Sequence, residues 1–539
     1  MACGTDPSTA PNDAGTEAGG GGCHAGEAEL DGVCVPAGVT SCASGFEPDG
    51  DGGCRAVLPA SPCGPGELAV PGDGACHVVA PCPSTDWPEL PAEALAAAQY
   101  VDASYTGGDS DGSMRRPWTT LIEGIEAASA GAVVALAAGT YQGPFRTAER
   151  PVRIWGACPE RVELTTEGDD PTLFVLSNAD GSEVRSLSIS GKYPLAVTGS
   201  KAVLLEGLWL HDSEAPALAV VDALGESEVL LRGSLVESAR QIGVLVAGAT
   251  LSVESSVVRG TRATLAGQGG VGITAIASPA DGVPSVLSIR SSVIEQNTAT
   301  GVAVLGSEAT LVGTLVRDTQ PQPADGKFGE AVVVVPDADF DVPTRATLEG
   351  CVLERNLEAS LLVSDAEATV TETTVRDSRP ELALGERGFG VAVQRSPQGS
   401  RPAHLTLRAS TVLDSDLVGV FVGDATAEVD RVLVRRTSPT SGSEDGDGFV
   451  VVNYGRGAEA VLTASRIEQS GRAGASSFSA ILRLGSSAFE CNAFHLDGEP
   501  APAGPFEITN LGGNACGCEG ESVECQVLSA GLTPPATPE

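Results

Sequence analysis

A short phrase of alternating apolar residues returns along most of the chain, and this repeat limits the fold more than any other feature. GSEATLVGTLVRDT at 306–319 is matched by SVLSIRSSVIEQN, ATLEGCVLERN, ATVTETTVRDS, LTLRASTVLDS, AEVDRVLVRRT and AVLTASRIEQS. Each copy holds two short apolar runs separated by small residues, and a third run such as GVAVLG follows it. This alternation is typical of β-strands with one buried face. One repeat therefore predicts three short strands.

The spacing of the copies predicts how these strands are stacked. The last apolar residue of each copy marks its position, and the markers are Ile189, Leu210, Val236, Val258, Ile294, Val316, Leu353, Val375, Leu413, Val434 and Ile467. From Val258 onward, steps of 21 or 22 residues alternate with steps of 33 to 38, so the repeating unit is a pair of coils. Three strands per coil predict an all-β chain, a right-handed parallel β-helix of about eleven coils with Val, Leu and Ile inside. A leucine-rich repeat is disfavoured because its Leu-x-x-Leu-x-Leu frame is missing.

The extra residues of the long coils fall in the turns between strands, as in TQPQPADGKFG and PDADFDVPT. Because they belong to alternate coils, these loops have about twice the strand spacing, roughly 9–10 Å, in which to spread. We expect them to form ridges along the flanks of the solenoid, where loops on a rigid scaffold often carry binding function.

The fourteen cysteines form two clusters, one near each end. Spacing in the first cluster predicts the disulfides Cys23–Cys34, Cys42–Cys54 and Cys63–Cys76, which leaves Cys82 for Cys158. At the other end Cys491, Cys516, Cys518 and Cys525 are expected to bond among themselves in an undetermined order, and Cys351 stays a packed thiol. Zinc is the alternative, but the spacings are too wide for it. So many disulfides predict an oxidising compartment.

Charge and hydropathy exclude several partners. The formal net charge is −39 with only three lysines, so nucleic acid and anionic membrane surfaces are not expected as partners. Met1-Ala2-Cys3 and the small-residue tract that follows resemble a bacterial lipoprotein without its signal peptide. That resemblance implies lipidation of Cys3 and a location at the outer membrane or cell surface, with a lipid anchor as the sole membrane contact. The alternative is an incidental cysteine in a secreted chain.

The segment before the first copy, from YVDASYTGGDSDG to VVALAAGTY, predicts a helix that begins at Pro117. Its apolar face would consist of Trp118, Leu121, Ile122, Ile125 and Ala128. A Tyr-Val-Asp strand, an Asp/Gly loop, a short helix, a strand and Gly-Thr-Tyr resemble the opening of pectate-lyase-like right-handed β-helix proteins. The resemblance covers about residues 98–490 and implies that the helix caps the solenoid. The cysteine-rich start resembles modules of bacterial surface lipoproteins.

These features divide the chain into six segments. They are a flexible tether at 1–22, a cysteine-rich module at 23–88, an opening segment with the cap at 89–160, the β-helix at 161–490, a cysteine-containing cap at 491–528 and a disordered tail at 529–539.

A catalytic site is not evident from the sequence. Families with this fold that cleave acidic polysaccharides use grouped Asp or Glu with Arg, Lys or His, and no histidine here stands beside such a group. One corner of successive coils does carry charges, which are predicted to form a solvated ladder of ion pairs: His211, Asp212, Glu237, Arg259, Glu295, Arg317, Asp318, Glu354, Arg355, Arg376, Asp377, Asp414, Arg435 and Glu468. Asp-Gly turns make Asp109, Asp111, Asp445 and Asp447 weak calcium candidates.

The features together predict a non-enzymatic surface protein, expected to be a monomer, whose loops recognise a carbohydrate or protein ligand. The alternatives are a polysaccharide lyase or glycoside hydrolase, and a structural spacer without a ligand. Three convergent carboxylates beside an arginine would favour the enzyme. An apolar or Asn/Tyr-rich groove between loop ridges would favour binding.

Overall fold

The computed structural model describes residues 23–30, 32–381, 383, 385, 387–440 and 443–537. Three long sheets, here called walls 1, 2 and 3, contain 16, 16 and 15 strands, and each coil adds one strand to each wall. Wall 3 therefore defines fifteen coils, numbered 1–15 in chain order. Nearly every pairing within the walls is parallel and joins strands of adjacent coils. The predicted right-handed parallel β-helix is confirmed.

Wall 1 begins with one strand ahead of coil 1 and then follows the coils. Its strands are Gln99–Val101, Val133–Leu136, Arg153–Gly156, Glu183–Arg185, Val203–Glu206, Glu228–Arg232, Thr250–Glu254, Val286–Arg290, Glu308–Val312, Arg345–Glu349, Glu367–Thr371, His404–Arg408, Thr426–Asp430, Glu459–Thr463, Ile481–Gly485 and Glu507–Gly512.

Wall 2 ends in an antiparallel strand that follows coil 15. Its strands are Gly139–Gln142, Val162–Thr165, Ser188–Ile189, Trp209–His211, Leu235–Glu237, Val257–Arg259, Val293–Glu295, Leu315–Arg317, Val352–Glu354, Thr374–Arg376, Thr411–Leu413, Leu433–Arg435, Arg466–Glu468, Ala488–Glu490, Ala515–Cys518 and Glu521–Val523.

Wall 3 has the longest strands in its second half. They are Phe145–Thr147, Leu173–Val175, Leu195–Thr198, Leu218–Val221, Ile242–Ala247, Val271–Ile276, Thr300–Leu305, Glu330–Val335, Glu358–Ser364, Gly388–Gln394, Val418–Gly423, Asp447–Val452, Ala473–Phe478, Phe494–Glu499 and Val527–Leu528.

The solenoid is longer than the eleven coils counted from the repeat. Two coils begin inside the predicted cap, where Tyr141 and Leu164 stack in register before Ile189. At the other end Phe489, near the end of the predicted β-helix, and Cys516, within the predicted second cap, continue the same interior column. These outer coils fill the interior with Tyr, Phe and Cys and lack the repeated phrase, so the repeat undercounts them.

One marker of the repeat is displaced by a residue. Val375 pairs with Val412, and Val412 with Val434, whereas Leu413 pairs with Arg376 and Arg435 on the outer face. Leu413 therefore occupies a position that neighbouring coils give to a charged residue. With Val412 as the marker, the long and short steps become 37 and 22 residues, as in the preceding pair of coils.

The cap helix is shorter than predicted and spans Leu121–Ala127. Thr120 caps it, accepting a hydrogen bond from the backbone of Glu123, whose side chain accepts one in return from the Thr120 backbone. This capping box sets the first turn, so Pro117 lies before the helix. Leu121 and Ile125 are buried against the first coils, but Ile122 is exposed and is not part of the apolar face.

Six disulfides lie near the two ends of the sequence. The structure pairs Cys23–Cys34, Cys42–Cys54, Cys63–Cys76, Cys82–Cys158, Cys491–Cys518 and Cys516–Cys525. Three hairpins accompany the first three disulfides and consist of Glu27–Leu30 with Val33–Pro36, Phe46–Pro48 with Cys54–Ala56, and Glu67–Leu68 with His77–Val78. Cys351 is buried as a free thiol, and burial raises its pKa to about 12, so it is not a thiolate at neutral pH.

The cysteine-rich segment forms a strap, residues 23–82, along the outer face of wall 2. Its start lies on coil 14, where the Gly26 N–H donates to the Ser486 carbonyl at 2.7 Å. Its middle lies on coil 10, where the Cys54 N–H donates to Thr374 at 2.8 Å. Its end is joined to the first coils by Cys82–Cys158. The strap therefore runs against the direction of stacking and covers nearly the whole of wall 2.

The end of the chain is also placed on the solenoid. Val527–Leu528 adds the last strand of wall 3, and residues 529–537, here called the tail, then turn back along the outer face of that wall. The sequence predicts a disordered segment at 529–539, whereas residues 529–537 lie along this wall. A composition rich in Pro and small residues, as here, also suits an extended segment held by external contacts.

Candidate functional site

The outer face of wall 2 is closed by the strap. Apolar side chains of five successive coils pack there against side chains of the strap, and these wall residues are Leu235, Val257, Val293, Leu315 and Val352. Phe46, Leu68 and Val79 of the strap are buried in the same cluster. A ligand could reach this face only after the strap had been removed.

Part of the predicted ladder of charges is an interface with the strap rather than a solvated surface. Glu237 and Arg259 are paired at 2.7 Å, and each side chain is only 10% exposed. Arg259 also donates to the Gly64 carbonyl of the strap at 2.7 Å, and Glu237 accepts from the Trp209 indole at 2.7 Å. Because the strap covers it, this pair lies in a low-dielectric setting and holds the strap in place. Asp212 and Arg355 of the same ladder are exposed, at 72% and 44%.

The outer face of wall 1 is open and polar. Its central column consists of small hydroxyl residues stacked in register on six successive coils, namely Ser252, Ser288, Thr310, Thr347, Thr369 and Thr406. The flanking columns carry charges such as Glu308, Arg345 and Glu367, which form exposed ion pairs. Exposed pairs of this kind contribute little to stability. Wall 1 is an ordinary solvated sheet face.

The outer face of wall 3 is mostly apolar, although it too lies outside the solenoid. In coils 5–8 five of its apolar side chains are half-buried, namely Leu245, Ile276, Leu305, Val333 and Val335, whereas Ala247, Thr274 and Ala303 in the same columns are buried. In coils 9–13 they are fully buried and include Leu362, Ala392, Phe421, Val450 and Phe478. We call these outward side chains of coils 5–13 the floor.

Two rows of loops border the floor. Ridge A consists of the segments between walls 2 and 3 in coils 6, 8, 10 and 12, whose described residues are 260–270, 318–329, 377–381, 383, 385, 387, 436–440 and 443–446. Ridge B consists of the segments that leave wall 3 in the same coils, at 277–285, 336–344, 395–403 and 453–458. Neighbouring loops touch: the Ala324 N–H donates to the Gly267 carbonyl at 3.0 Å, and Arg401 donates to the Asp341 carbonyl at 2.8 Å. The floor and its ridges form a trough along wall 3.

The tail fills the trough over coils 10–14. Leu532 packs against the buried part of the floor, and Val333 joins the same cluster from coil 8. At the tip of the tail, a cleft of about 590 Å³ is lined by Tyr454 and Arg456 of ridge B and by Pro534 to Thr537. The open floor of coils 5–8 therefore continues the surface on which the tail lies.

One group of carboxylates meets an arginine on wall 3. Arg472 is buried; its Nε donates to Asp447 at 2.8 Å, and Nη1 lies 2.8 Å from Asp445. Asp497 and Glu499 lie in the next coil and accept hydrogen bonds from the tail. Burial raises the pKa of Asp447 to about 6 in spite of Arg472, and burial also raises the pKa of Asp497. The tail covers this group, so a substrate has no access to it in this conformation.

The calcium candidates are engaged by arginines. Arg116 forms ion pairs with both Asp109 and Asp111, and Arg472 does the same with Asp445 and Asp447. A cation at either place would have to displace a guanidinium. In the part of the chain that the structure describes, the one group of three side chains at metal-binding distance includes Cys23 and Cys34, which form a disulfide.

A buried glutamate beneath ridge A should make stability depend on pH. Burial, with a smaller effect of the Glu358 charge, raises the pKa of Glu330 from 4.5 to about 8. The folded protein therefore keeps a proton that the unfolded chain loses above pH ~4.5, and stability falls as the pH rises through this window. We expect Glu330→Gln to lose less thermal stability than the wild type between pH 5 and pH 9.

The matched control is Glu308→Gln, which removes an exposed carboxylate of the same coil. Its loss of melting temperature between pH 5 and pH 9 should equal that of the wild type. An equal loss for Glu330→Gln as well would show that the Glu330 carboxyl ionises without cost in the folded state.

No family model matches the chain, and no curated protein is significantly similar to it in sequence. Solved structures do match at low identity. Pectate lyase Pel9A is 13% identical, with a TM-score of 0.38 over 60% of this chain and 76% of the lyase. The catalytic domain of a GH87 α-1,3-glucanase in complex with tetrasaccharides is 10% identical, with a TM-score of 0.41 over 79% of this chain and 70% of that domain.

An alginate lyase from Paenibacillus sp. is 14% identical, with a TM-score of 0.29 over 62% of this chain and 95% of the lyase. These proteins are similar to the chain at identities and TM-scores too low for a shared activity to follow.

Proposed function

We propose that this chain is a non-enzymatic exported protein that binds an elongated carbohydrate or protein ligand in the trough along wall 3. The observation that carries the proposal is the half-exposed apolar floor of coils 5–8 between two ridges of loops. Soluble proteins rarely leave a contiguous apolar surface open unless it binds something. Wall 1 is polar and wall 2 is covered by the strap, so the trough is the surface best suited to a ligand.

The net charge of −39 restricts the ligand. A polyanion would be repelled over the whole length of the solenoid, whereas a neutral or basic chain would not. We therefore expect a neutral glycan or a neutral to basic polypeptide. A monomer suffices for this role, because the floor and both ridges belong to one chain.

Export is supported by the six disulfides, which persist in oxidising compartments. In the described residues, no helix has the length and hydropathy needed to cross a bilayer.

We propose a lipid anchor at Cys3, which lies outside the described residues together with the whole predicted tether at 1–22. Cys3→Ser in the full precursor should move the protein from the membrane fraction to the soluble fraction, and unchanged membrane association would contradict the anchor.

A polysaccharide-cleaving enzyme is the second candidate. The observation in its favour is the group formed by Arg472, its partner Asp447, and the nearby Asp497, with Glu499 two residues beyond Asp497 in the same strand. Its side chains contact the tail, which argues for a structural role in this conformation. Assays for new reducing ends and for unsaturated sugars, on chains with and without the tail, separate this candidate from binding.

The binding proposal is tested by screening the purified protein on a glycan array and on a library of extended peptides. Leu305→Lys places a charge on the open floor, and we expect it to weaken binding of the best ligand at least tenfold. Thr347→Lys, on the exposed face of wall 1, is the control and should bind as the wild type does. Equal binding by Leu305→Lys, with loss in Thr347→Lys, would place the site on wall 1 instead.

A further inference from the structure

The tail lies in the trough as an extended polypeptide. It is held first by Asp497 and Glu499 of coil 14, then by Arg472 beside coil 13 and Tyr454 after coil 12. Its tip borders a cleft that is also lined by Gln394 at the end of coil 10. Four strand spacings correspond to roughly 19 Å. Eight residues in a polyproline II conformation can span roughly 25 Å, so residues 530–537 are long enough to cover this distance.

Most of the polar contacts to the tail are made to its backbone. Asp497 accepts from the Ala530 N–H at 3.0 Å, and Glu499 accepts from the N–H groups of Gly531 and Leu532. On the other side, Arg472 donates to the Thr533 carbonyl at 3.1 Å.

Further along, the Tyr454 hydroxyl donates to the Pro535 carbonyl at 2.9 Å. Carboxylates of the solenoid thus accept hydrogen bonds from the N–H groups of the first tail residues, and side-chain donors of the solenoid bind the carbonyls of the later ones. Backbone recognition of this kind does not depend on the identity of the residues bound.

The side chains of the tail explain which sequence fits. Leu532 packs into the buried apolar cluster that includes Phe421 and Phe478. Pro534 and Pro535 follow, and proline has no N–H that would be left without a partner against an apolar floor. Pro535 is itself buried. An apolar residue followed by a Thr-Pro-Pro segment therefore suits this part of the trough.

We infer that coils 10–14 form a binding site for an extended polypeptide with an apolar residue followed by prolines, and that the tail occupies this site within its own chain. The inference rests on the proposed function and narrows its ligand class to polypeptide. The floor runs on from the tail-covered coils into coils 5–8, where it is open. A partner polypeptide of the same chemistry would bind there and extend over coils 10–14 by displacing the tail.

The test uses a fluorescent peptide with the sequence of residues 529–537 and two forms of the protein. One form ends at Leu528. The other is the full chain with a specific protease site inserted between Leu528 and Ser529, and it is cleaved after folding. This second form allows the test even if the shortened chain does not fold. We expect the peptide to bind either form saturably, and the intact chain at least tenfold more weakly. The Leu532→Asp peptide should lose at least tenfold in affinity.

A cleaved and folded protein that neither keeps its own tail nor takes up the peptide would overturn the inference. So would equal affinity of the wild-type and Leu532→Asp peptides. If the peptide fails but a ligand from the screen still binds in a manner sensitive to Leu305→Lys, only the inference fails. If Leu305→Lys has no effect on that ligand, the proposed function fails as well.

Discussion

Val316→Asp is expected to unfold the solenoid around coil 8. Val316 is fully buried and stands in the interior column between Ile294 and Leu353. A carboxylate at this position would have no partner in a dry interior, and we expect a loss of more than ~4 kcal/mol in the free energy of unfolding. Each coil of a solenoid depends on its neighbours, so the damage should spread along the rod. Thermal unfolding followed by circular dichroism measures the effect.

Thr347→Asp provides the matched control. It places the same carboxylate on the exposed outer face of wall 1, one coil further along. We expect a change within about 0.5 kcal/mol there, as for most surface substitutions. An unchanged melting temperature for Val316→Asp would mean that the assignment of inner and outer faces in wall 2 is wrong.

Arg259→Met is expected to loosen the strap and to destabilise the protein by about 3–5 kcal/mol. It removes the partner of Glu237, whose side chain is buried beneath the strap, and the hydrogen bond to the Gly64 carbonyl. The uncompensated carboxylate accounts for most of the loss. Thermal unfolding gives the change in stability, and limited proteolysis of residues 55–66 reports whether the strap has come away.

Two comparisons isolate the buried charge. The double variant Glu237→Gln and Arg259→Met leaves no charge behind, so it should recover most of the stability lost in the single variant. Arg345→Met breaks an exposed pair with Glu367 and should cost less than ~1 kcal/mol. Equal losses for Arg259→Met and Arg345→Met would show that the strap does not bury the ladder.

The interior of the solenoid could be predicted from the sequence because its repeat reflects local rules. Val258, Ile294 and Val316 recur at the spacing of the coils, and all three are buried in one column. The rule fails where the chain departs from the phrase. Leu413 continues the apolar pattern of its strand but points outward. The register with the adjacent coils places Val412, and not Leu413, in the interior column.

The strap could not be predicted in the same way. Disulfide spacing is a local property of the cysteine-rich segment, whereas its position on wall 2 depends on contacts between residues hundreds of positions apart, such as Cys54 with Thr374. Corner charges such as Glu237 and Arg259 have the same sequence pattern whether water or another segment covers them. Only the fold distinguishes the two cases.

The trough has a signal in the sequence, which lies in the third strand of several coils. EAVVVV at 330–335 and DGFVVV at 447–452 are apolar on successive residues and do not alternate. Runs of this kind are typical of strands that are buried on both faces. They indicate that wall 3 has a covering outside the solenoid, in addition to the interior that it faces. The tail and the loops supply this covering in the later coils.

Hydroxyl-radical footprinting of the protein with the tightest ligand from the screen tests the role of the trough most directly. We predict protection of Ile276, Leu305, Val333 and Val335 on the open floor, together with Tyr454 at the tip of the tail. The exposed Ser and Thr residues of wall 1 should react as they do in the free protein. Protection confined to wall 1 or to the strap, with the floor unchanged, would contradict the account.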